Sequence, residues 1–303
     1  MRWMVTGATG FLGRAIVACL DRPVILSRAA SRAQTLFPGL EIHPWDAEAS
    51  PPPPNAFKDV QSIVHLAGAP VGDGRWTPQR KRRIHDSRVL GTRSLIATLE
   101  NLSVRPQVLV SASAVGYYGE GEDGDLDENT PKGEGFLAEV CEAWEREAHV
   151  AERLGIRVVC VRIGVVLGKG GGALAKMLPP FRMGLGGRLG SGRQWMPWVA
   201  IEDVVGIFLF AARTPDVRGA INAVSPHPVT NAEFTEAMGK TLHRPTLLLM
   251  PAIALRLAFG EMSQMLLASQ RVRPNVALRC GYVFQEPDLR TYLEQVLAKS
   301  KTI

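Results

Sequence analysis

The 303-residue sequence predicts a doubly wound α/β fold of Rossmann type carrying a smaller C-terminal substrate lobe. Three observations carry that prediction. Short Val/Ile/Leu-rich runs alternate with helical spacing up to about residue 164, and a glycine turn joins the first run to the first helix. After Gly164 the texture changes to Gly-rich turns (GKGGG, GLGGRLGSGR) and Pro-punctuated short helices. Near-continuous apolar strands belong to a parallel sheet covered on both faces, and β-α-β alternation supplies the covering helices.

RWMVT (2–6) reads as a strand, and FLGRAIVACL (11–20) has the spacing of a helix. PVILS (23–27) and LEIHPW (40–45) are the second and third strands, and PPPP (51–54) is a loop that cannot be helical. SIVHLAG (62–68) is a buried strand ending in small residues. A helix runs from Thr77 towards Glu100, with Thr77 as N-cap and Pro78 in the first turn. PQVLVSAS (106–113) is the next strand, a helix near 134–154 closes at Gly155, and IRVVCVRIG (156–164) is another buried strand. IEDVVGIFLFAA (201–212) is an amphipathic helix able to return to the main sheet. The expected division is residues 1–166 plus about 198–224 for the nucleotide domain, and about 167–197 and 225–303 for the lobe.

VTGATGFLGR places Gly7, Gly10 and Gly13 between first strand and first helix, with Thr9, Phe11 and Leu12 on the same turn. The first glycine permits the tight turn, the second lets backbone approach a pyrophosphate, and the third allows close helix–strand packing. The helix N-terminus adds free N–H groups and a positive dipole. At the end of strand two an acidic residue would accept the ribose 2′-OH of NAD. This chain has Ser27 and Arg28 there, with Arg32 following, a pairing suited to a 2′-phosphate, so NADP(H) is the expected cofactor. Asp46 after strand three is placed either to accept from the adenine amino group or to close a turn.

Hydrophobic residues make up 46% and charged residues 21%, as in ordinary globular proteins. No apolar run reaches the ~20 residues that span a bilayer, and the N-terminus lacks a cleavage-type leader, so a cytoplasmic protein without membrane contact is expected. The four cysteines have no CxxC pair and three lie in apolar-periodic segments, which predicts buried thiols. The net charge of +6 comes with no nucleic-acid motif, and the basic run QRKRRIHDSR (79–88) reads as a solvated helix face. Asp123, Asp125 and Asp127 in EGEDGDLDENT lack the Gly and Glu of a calcium loop, so a solvated loop over the cleft is expected and no metal. The apolar stretch LLLMPAIALRLAFG (247–260) suits either a cover for the cleft or a homodimer contact.

TGATGFLG, HLAG (65–68), SRVLGT (87–92) and SASAVGYYG (111–119) resemble an extended short-chain dehydrogenase/reductase. RWTPQRK, FLAEVCEAWE, RIGVVLGKGGGALAKMLPPFRMGLGG and GSGRQWMPWVAIEDV narrow the likeness to the atypical epimerase/dehydratase-like family typified by YfcH, some members of which carry the label cell-division inhibitor. NAEFTEAMGKTLHRP, LLASQRVRP and GYVF resemble that family's C-terminal domain, whose role is undefined. The resemblance covers essentially the whole chain. It implies NADP(H) binding by the turn residues, by Ser27 and Arg28, by Leu66, Ala67 and Gly68 under the adenosine ribose, and by Val165 and Val166 beside the nicotinamide.

Ordinary reductases of this superfamily use a Ser with a Tyr-x-x-x-Lys pair. Residues i and i+4 share one helix face, so the Lys cation lies beside the phenol and lowers its pKa from about 10. Here the corresponding helix gives Phe136/Val140 or Leu137/Cys141, with no proton to move and no cation. The supporting Asn aligns with Arg88, which gains a reading as a cationic contact to cofactor or substrate. Ser113 survives as an oxyanion donor, and Tyr117 or its neighbour Tyr118 is a candidate acid, each also readable as pocket lining. Two functions follow. One is an NADP-dependent oxidoreductase or epimerase of atypical mechanism acting on a small polar, sugar-like substrate; the other is a catalytically silent NADP(H)-binding regulatory protein.

Overall fold

The computed structural model describes residues 1–121 and 124–298. Strands β1 (Trp3–Thr6), β2 (Val24–Ser27), β3 (Ile42–Pro44), β4 (Ser62–His65), β5 (Val108–Ala114), β6 (Arg157–Ile163) and β7 (Gly219–Ala223) form one sheet. Its order is β7-β6-β5-β4-β1-β2-β3 and every pairing is parallel. The chain therefore reverses its direction of winding between β1 and β4, where the connections diverge and leave a crevice at the strands' C-terminal ends.

The helices that cover the sheet are α1 (Phe11–Ala18), α2 (Ala30–Leu36), α3 (Pro78–Glu100), α4 (Phe136–His149) and, after α5 (Gly172–Arg182) has opened the lobe, α6 (Ile201–Arg213). Side chains alternate along each strand. Trp3, Val5, Val108 and Val110 join Ile16, Val17, Ile207 and Phe208 of α1 and α6. Met4, Ile63, Leu109 and Val158 join Leu95 and Leu99 of α3 and Ala148 of α4. Each fully buried Ile, Leu or Phe contributes roughly 2 kcal/mol, which is why the two apolar sets fix the layers.

The helix ends follow local chemistry. Thr77 Oγ1 accepts from Arg80 N at 3.2 Å, and Pro78 opens α3, as the sequence predicts. The helix expected over 134–154 is shorter: α4 starts after Gly135 (φ +99°), ends at His149 and tightens into a 3₁₀ segment, Val150–Leu154. Gly155, at φ +79°, then closes it in the left-handed conformation.

Beyond the sheet, Val165–Leu167 pairs in parallel with Trp198–Ala200. A second core gathers Leu174, Phe181, Trp198, Phe234, Met238, Tyr292 and Leu293. It includes α7 (Asn231–Leu242) and the Leu289–Ala298 helix. Asp203 of α6 ties down the following strap by accepting from Tyr282 Oη (3.1 Å), Gln285 N (2.8 Å) and Glu286 N (3.0 Å).

Three expectations need correction. Only Cys141 and Cys160 are buried; Cys280 is half-buried and Cys19 is exposed, because α1 ends at Ala18 and its cap faces solvent. The acidic loop is not simply solvated. Asp125 pairs with Arg271 and Arg273, both at 3.0 Å, and Glu128 Oε1 accepts from Asn222 N and Val276 N at 3.0 and 3.1 Å. Its charge is matched by cations of the C-terminal segment, while Asp123 lies outside the described residues. The basic run is likewise only partly solvated: Lys81 pairs with Glu261, and Arg80 reaches the Pro70 carbonyl.

Candidate cofactor and substrate cleft

The turn after β1 is built by exclusion. Gly7 sits at φ +68°, and a Cβ there would lie 2.7 Å from the Leu66 carbonyl oxygen. A Cβ on Gly13 would lie 2.3 Å from the Gly7 oxygen, so α1 approaches β1 only without a side chain. Gly10 caps α1 with no side-chain acceptor, leaving the first-turn N–H groups for an anion. Thr9 is half-buried on the rim of this turn. The Phe11 ring is wrapped by Gly168, Gly171 and Gly172, where added Cβ atoms would lie 2.9, 2.2 and 2.8 Å from it.

At the end of β4, Thr6 Oγ1 accepts from Leu66 N and Ala67 N, both at 3.1 Å, and lies 2.8 Å from His65 Nδ1. His65 Nε2 lies 3.0 Å from Thr92 Oγ1. Full burial holds the imidazole pKa down to about 4, so His65 is neutral. At the end of β2, Ser27 is buried and Arg28 is exposed, 4.0 Å from Glu48. Asp46 is exposed and accepts from Glu48 N at 3.1 Å, so one carboxylate oxygen closes a turn.

One cavity of about 350 Å³ joins the phosphate turn to the end of β5. Gly7, Gly10, Phe11, Leu12, Gly13 and Leu66 form one end, and Ser113, Arg88, Trp144, Val140, Cys141 and Ile163 are among the residues at the other. Gly68 is adjacent: a Cβ on it would lie 3.2 Å from Arg88 Cζ. Val165 and Val166 stand just past the wall that Ile163 and Gly164 make. Ser27, Arg28 and Asp46 lie outside this cavity, farther along the same C-terminal edge towards β2 and β3.

Arg88 Nη1 donates to the carbonyls of Ala69 and Ile84, both at 3.0 Å, and the guanidinium stands 5.1 Å from the Trp144 ring centroid. No carboxylate among the described residues pairs with it. Burial pulls its pKa down to about 10, which leaves it charged at neutral pH. Trp144 Nε1 is buried without a hydrogen-bond partner. The guanidinium, with N–H groups beyond the two it gives to carbonyls, and the Trp144 ring therefore line the cleft, where the cation has donors to spare.

Ser113 is committed elsewhere. Its hydroxyl donates to Glu145 Oε1 at 2.6 Å, inside the protein. Glu145 takes both Nε and Nη2 of Arg162 at 2.9 Å, and Arg162 Nη1 donates to Tyr118 Oη at 3.1 Å. Tyr118 Oη donates to Asn222 Oδ1 at 2.8 Å, and burial pushes its pKa up to about 12. The Tyr117 ring covers the Arg162 guanidinium at 3.5 Å and meets Tyr118 edge-on at 5.5 Å. Only Ser113 of these reaches the cavity wall; Tyr117 and Tyr118 pack against Val224 and Val272. Glu145 and Arg162 escaped the sequence reading, although a charge inside VVCVRIG and another beside Trp144 were a signal that each needs a partner.

A parallel sheet with this turn at its reversal point defines a dinucleotide-binding class of protein. The model of the NAD dependent epimerase/dehydratase family matches residues 3–223, and the chain belongs to that family. Residues 250–296 match a domain of unknown function, DUF1731. An epimerase family protein of Arabidopsis thaliana, the chloroplastic SDR39U1 homolog, is 40% identical over 97% of this chain and 86% of its own length. Epimerase family protein YfhF of Bacillus subtilis is 34% identical over the full length of both. The crystal structure of human epimerase family protein SDR39U1 (isoform 2) with NADPH aligns at a TM-score of 0.87, with 34% identity over 98% of this chain and 99% of that one.

Proposed function

We propose that this protein is a cytoplasmic NADP(H)-dependent oxidoreductase of the epimerase/dehydratase type, working without a Tyr-x-x-x-Lys pair, and that its finer kinship is with the YfcH type. The observation that carries the reading is the single cavity joining a phosphate turn to Ser113, Arg88 and Trp144. The residues present fit the cofactor: Gly7 and Gly13 let β1, α1 and the end of β4 pack closely, and the uncapped start of α1 offers its free N–H groups to an anion at the turn. Gly7, Thr9, Gly10, Phe11, Leu12 and Gly13 would hold the pyrophosphate, and Ser27 and Arg28 the 2′-phosphate. Asp46, Leu66, Ala67 and Gly68 would border the adenosine, and Arg88, Val165 and Val166 the nicotinamide half. The human relative crystallised with NADPH supports this assignment. When bound, the nicotinamide supplies or accepts a hydride.

The chain's own groups do the rest. Arg88 offers positive charge to a substrate oxygen, and the Trp144 ring walls the same space. Ser113, whose only hydrogen goes to Glu145, presents lone pairs to the cleft and so receives a hydroxyl; donating to an oxyanion would require it to leave Glu145. Val71, Ile84, Leu137 and Val140 line the same space, which suits a carbonyl or hydroxyl compound with an apolar body better than the small polar, sugar-like substrate expected from the sequence.

The test is a panel of ketones and keto-sugars with NADPH, followed at the nicotinamide absorbance. Turnover that falls on Ser113→Ala supports the enzyme. Tight NADPH binding with no turnover across the panel would favour the regulatory reading, which draws on the apolar face of α4 and on the commitment of Ser113 to Glu145.

A further inference from the structure

The stretch 247–260 does not hide its apolar side chains. Leu247 is 91% exposed, Ile253 69% and Leu257 72%, with Leu248, Leu249 and Met250 exposed beside them. Leu248–Met250 pairs in parallel with Gly187–Leu189, which brings Met183 and Leu185, also exposed, to the same region. Ile253 and Leu257 stand one turn apart on helix α8 (Ala252–Phe259). Leu247, Leu248, Leu249, Met250, Ile253 and Leu257 are each 47% exposed or more, and an apolar surface gathered in this way, which on a typical monomer reaches at most ~300–600 Å², is often functional.

The unpaired charge around this patch is positive. Residues 181–193 and 243–260 contain Arg182, Arg188, Arg193, Arg244 and Arg256, and no Asp or Glu. All five arginines are exposed, and none forms an ion pair with a carboxylate among the described residues. Arg244 Nε donates to the Arg182 carbonyl at 3.1 Å, which holds the two segments together. Leucines and methionines rimmed by arginines, with the neighbouring carboxylates Glu236 and Glu261 already paired to Lys240 and Lys81, are the composition of an interfacial surface that meets anionic headgroups. A twofold contact between copies would instead set this cationic rim against itself.

We propose that this face of the C-terminal lobe docks on an anionic lipid surface, with α8 and Leu247–Met250 set into the headgroup layer. Peripheral docking departs from the membrane-free protein expected from the sequence. It is compatible with the described helices, none of which is long and apolar enough to cross a bilayer. The patch borders the cleft mouth. Arg75 donates to the Leu257 and Ala258 carbonyls, Lys81 pairs with Glu261, and Met262 packs on Trp76, Ile84 and Val140. A docked protein would thus hold its cleft beside the lipid.

The test floats the full chain with phosphatidylcholine vesicles and with phosphatidylcholine–phosphatidylglycerol vesicles. Binding to the mixed vesicles alone, weakened as salt shortens the screening length, is expected. Arg188→Glu/Arg256→Glu should lower that partition at least about 25-fold, at about fivefold for each cation lost. Leu249→Ser/Leu257→Ser should lower it at least about tenfold. An NADPH titration unchanged in both variants shows that they fold, and Arg256→Glu alone is the milder substitute. Absence of binding to either vesicle overturns the proposal, as does equal binding to both. A dimer by light scattering that Leu257→Ser dissociates, without vesicle binding, assigns the face to a second copy and overturns it too.

Discussion

Replacing Glu145 with Leu strips the carboxylate from Arg162 while leaving the guanidinium buried. The pair is 9% and 5% exposed at its side chains and joined by two hydrogen bonds of 2.9 Å, so solvent cannot substitute for the lost partner. Breaking such a pair from one side costs about 3–5 kcal/mol, because an uncompensated charge stays inside. At ~2–4 °C per kcal/mol for a chain of this size class, the melting temperature should fall by roughly 10 °C. Glu145→Leu/Arg162→Met removes both charges and should recover at least half of that loss, since Tyr118 keeps Asn222 as a partner. The assay is thermal unfolding followed by circular dichroism on the wild type, the two single variants and the double. A single-variant loss below about 1 kcal/mol, or a double variant that loses the sum of the two singles, would refute the reasoning.

Three further outcomes are expected. With a folded pKa of about 4 against an unfolded value near 6.5, His65 takes up its proton in the unfolded chain first. Its contribution is complete above pH 6.5 and is lost as pH falls towards 4, a total of about 3 kcal/mol. His65→Gln should flatten that acid limb in urea titrations run at stepped pH. Gly13→Ala drives a Cβ onto the Gly7 oxygen and Ala8 Cα, at 2.3 and 2.7 Å, and should weaken NADPH binding at least about tenfold by fluorescence titration. Arg28→Glu should erase any preference for NADPH over NADH, a change of roughly 10–100-fold for a charged hydrogen bond to the 2′-phosphate.

Features that act through the local chain were legible in the sequence. The glycine turn, the Thr77–Pro78 start of α3 and the Gly155 stop all depend on residues within one turn of each other. Features that depend on distant partners were not. Ser113 looked like a free hydroxyl because Glu145, 32 positions on, is invisible beside it until α4 packs on β5. The acidic loop looked solvated because Arg271 and Arg273 lie far along the chain. Arg88 fell in a basic run that read as surface, and only the family resemblance marked it as a contact to cofactor or substrate; its turn of α3 lines the cleft while Arg82 and Arg83 face water.

The hydroxyl of Thr6 carries a consequence for hydrogen placement. Its two lone pairs are taken by Leu66 N and Ala67 N, so its own hydrogen points at His65 Nδ1. That makes Nδ1 the bare nitrogen of the ring and Nε2 the one bearing hydrogen, donated to Thr92. The tautomer is set by two amides at the end of the neighbouring strand. A second proton on the ring would put two hydrogens between Thr6 and Nδ1, and Thr6 could yield only by releasing Leu66 and Ala67. Acid strong enough to protonate His65 therefore loosens the backbone at the end of β4, beside the glycine turn.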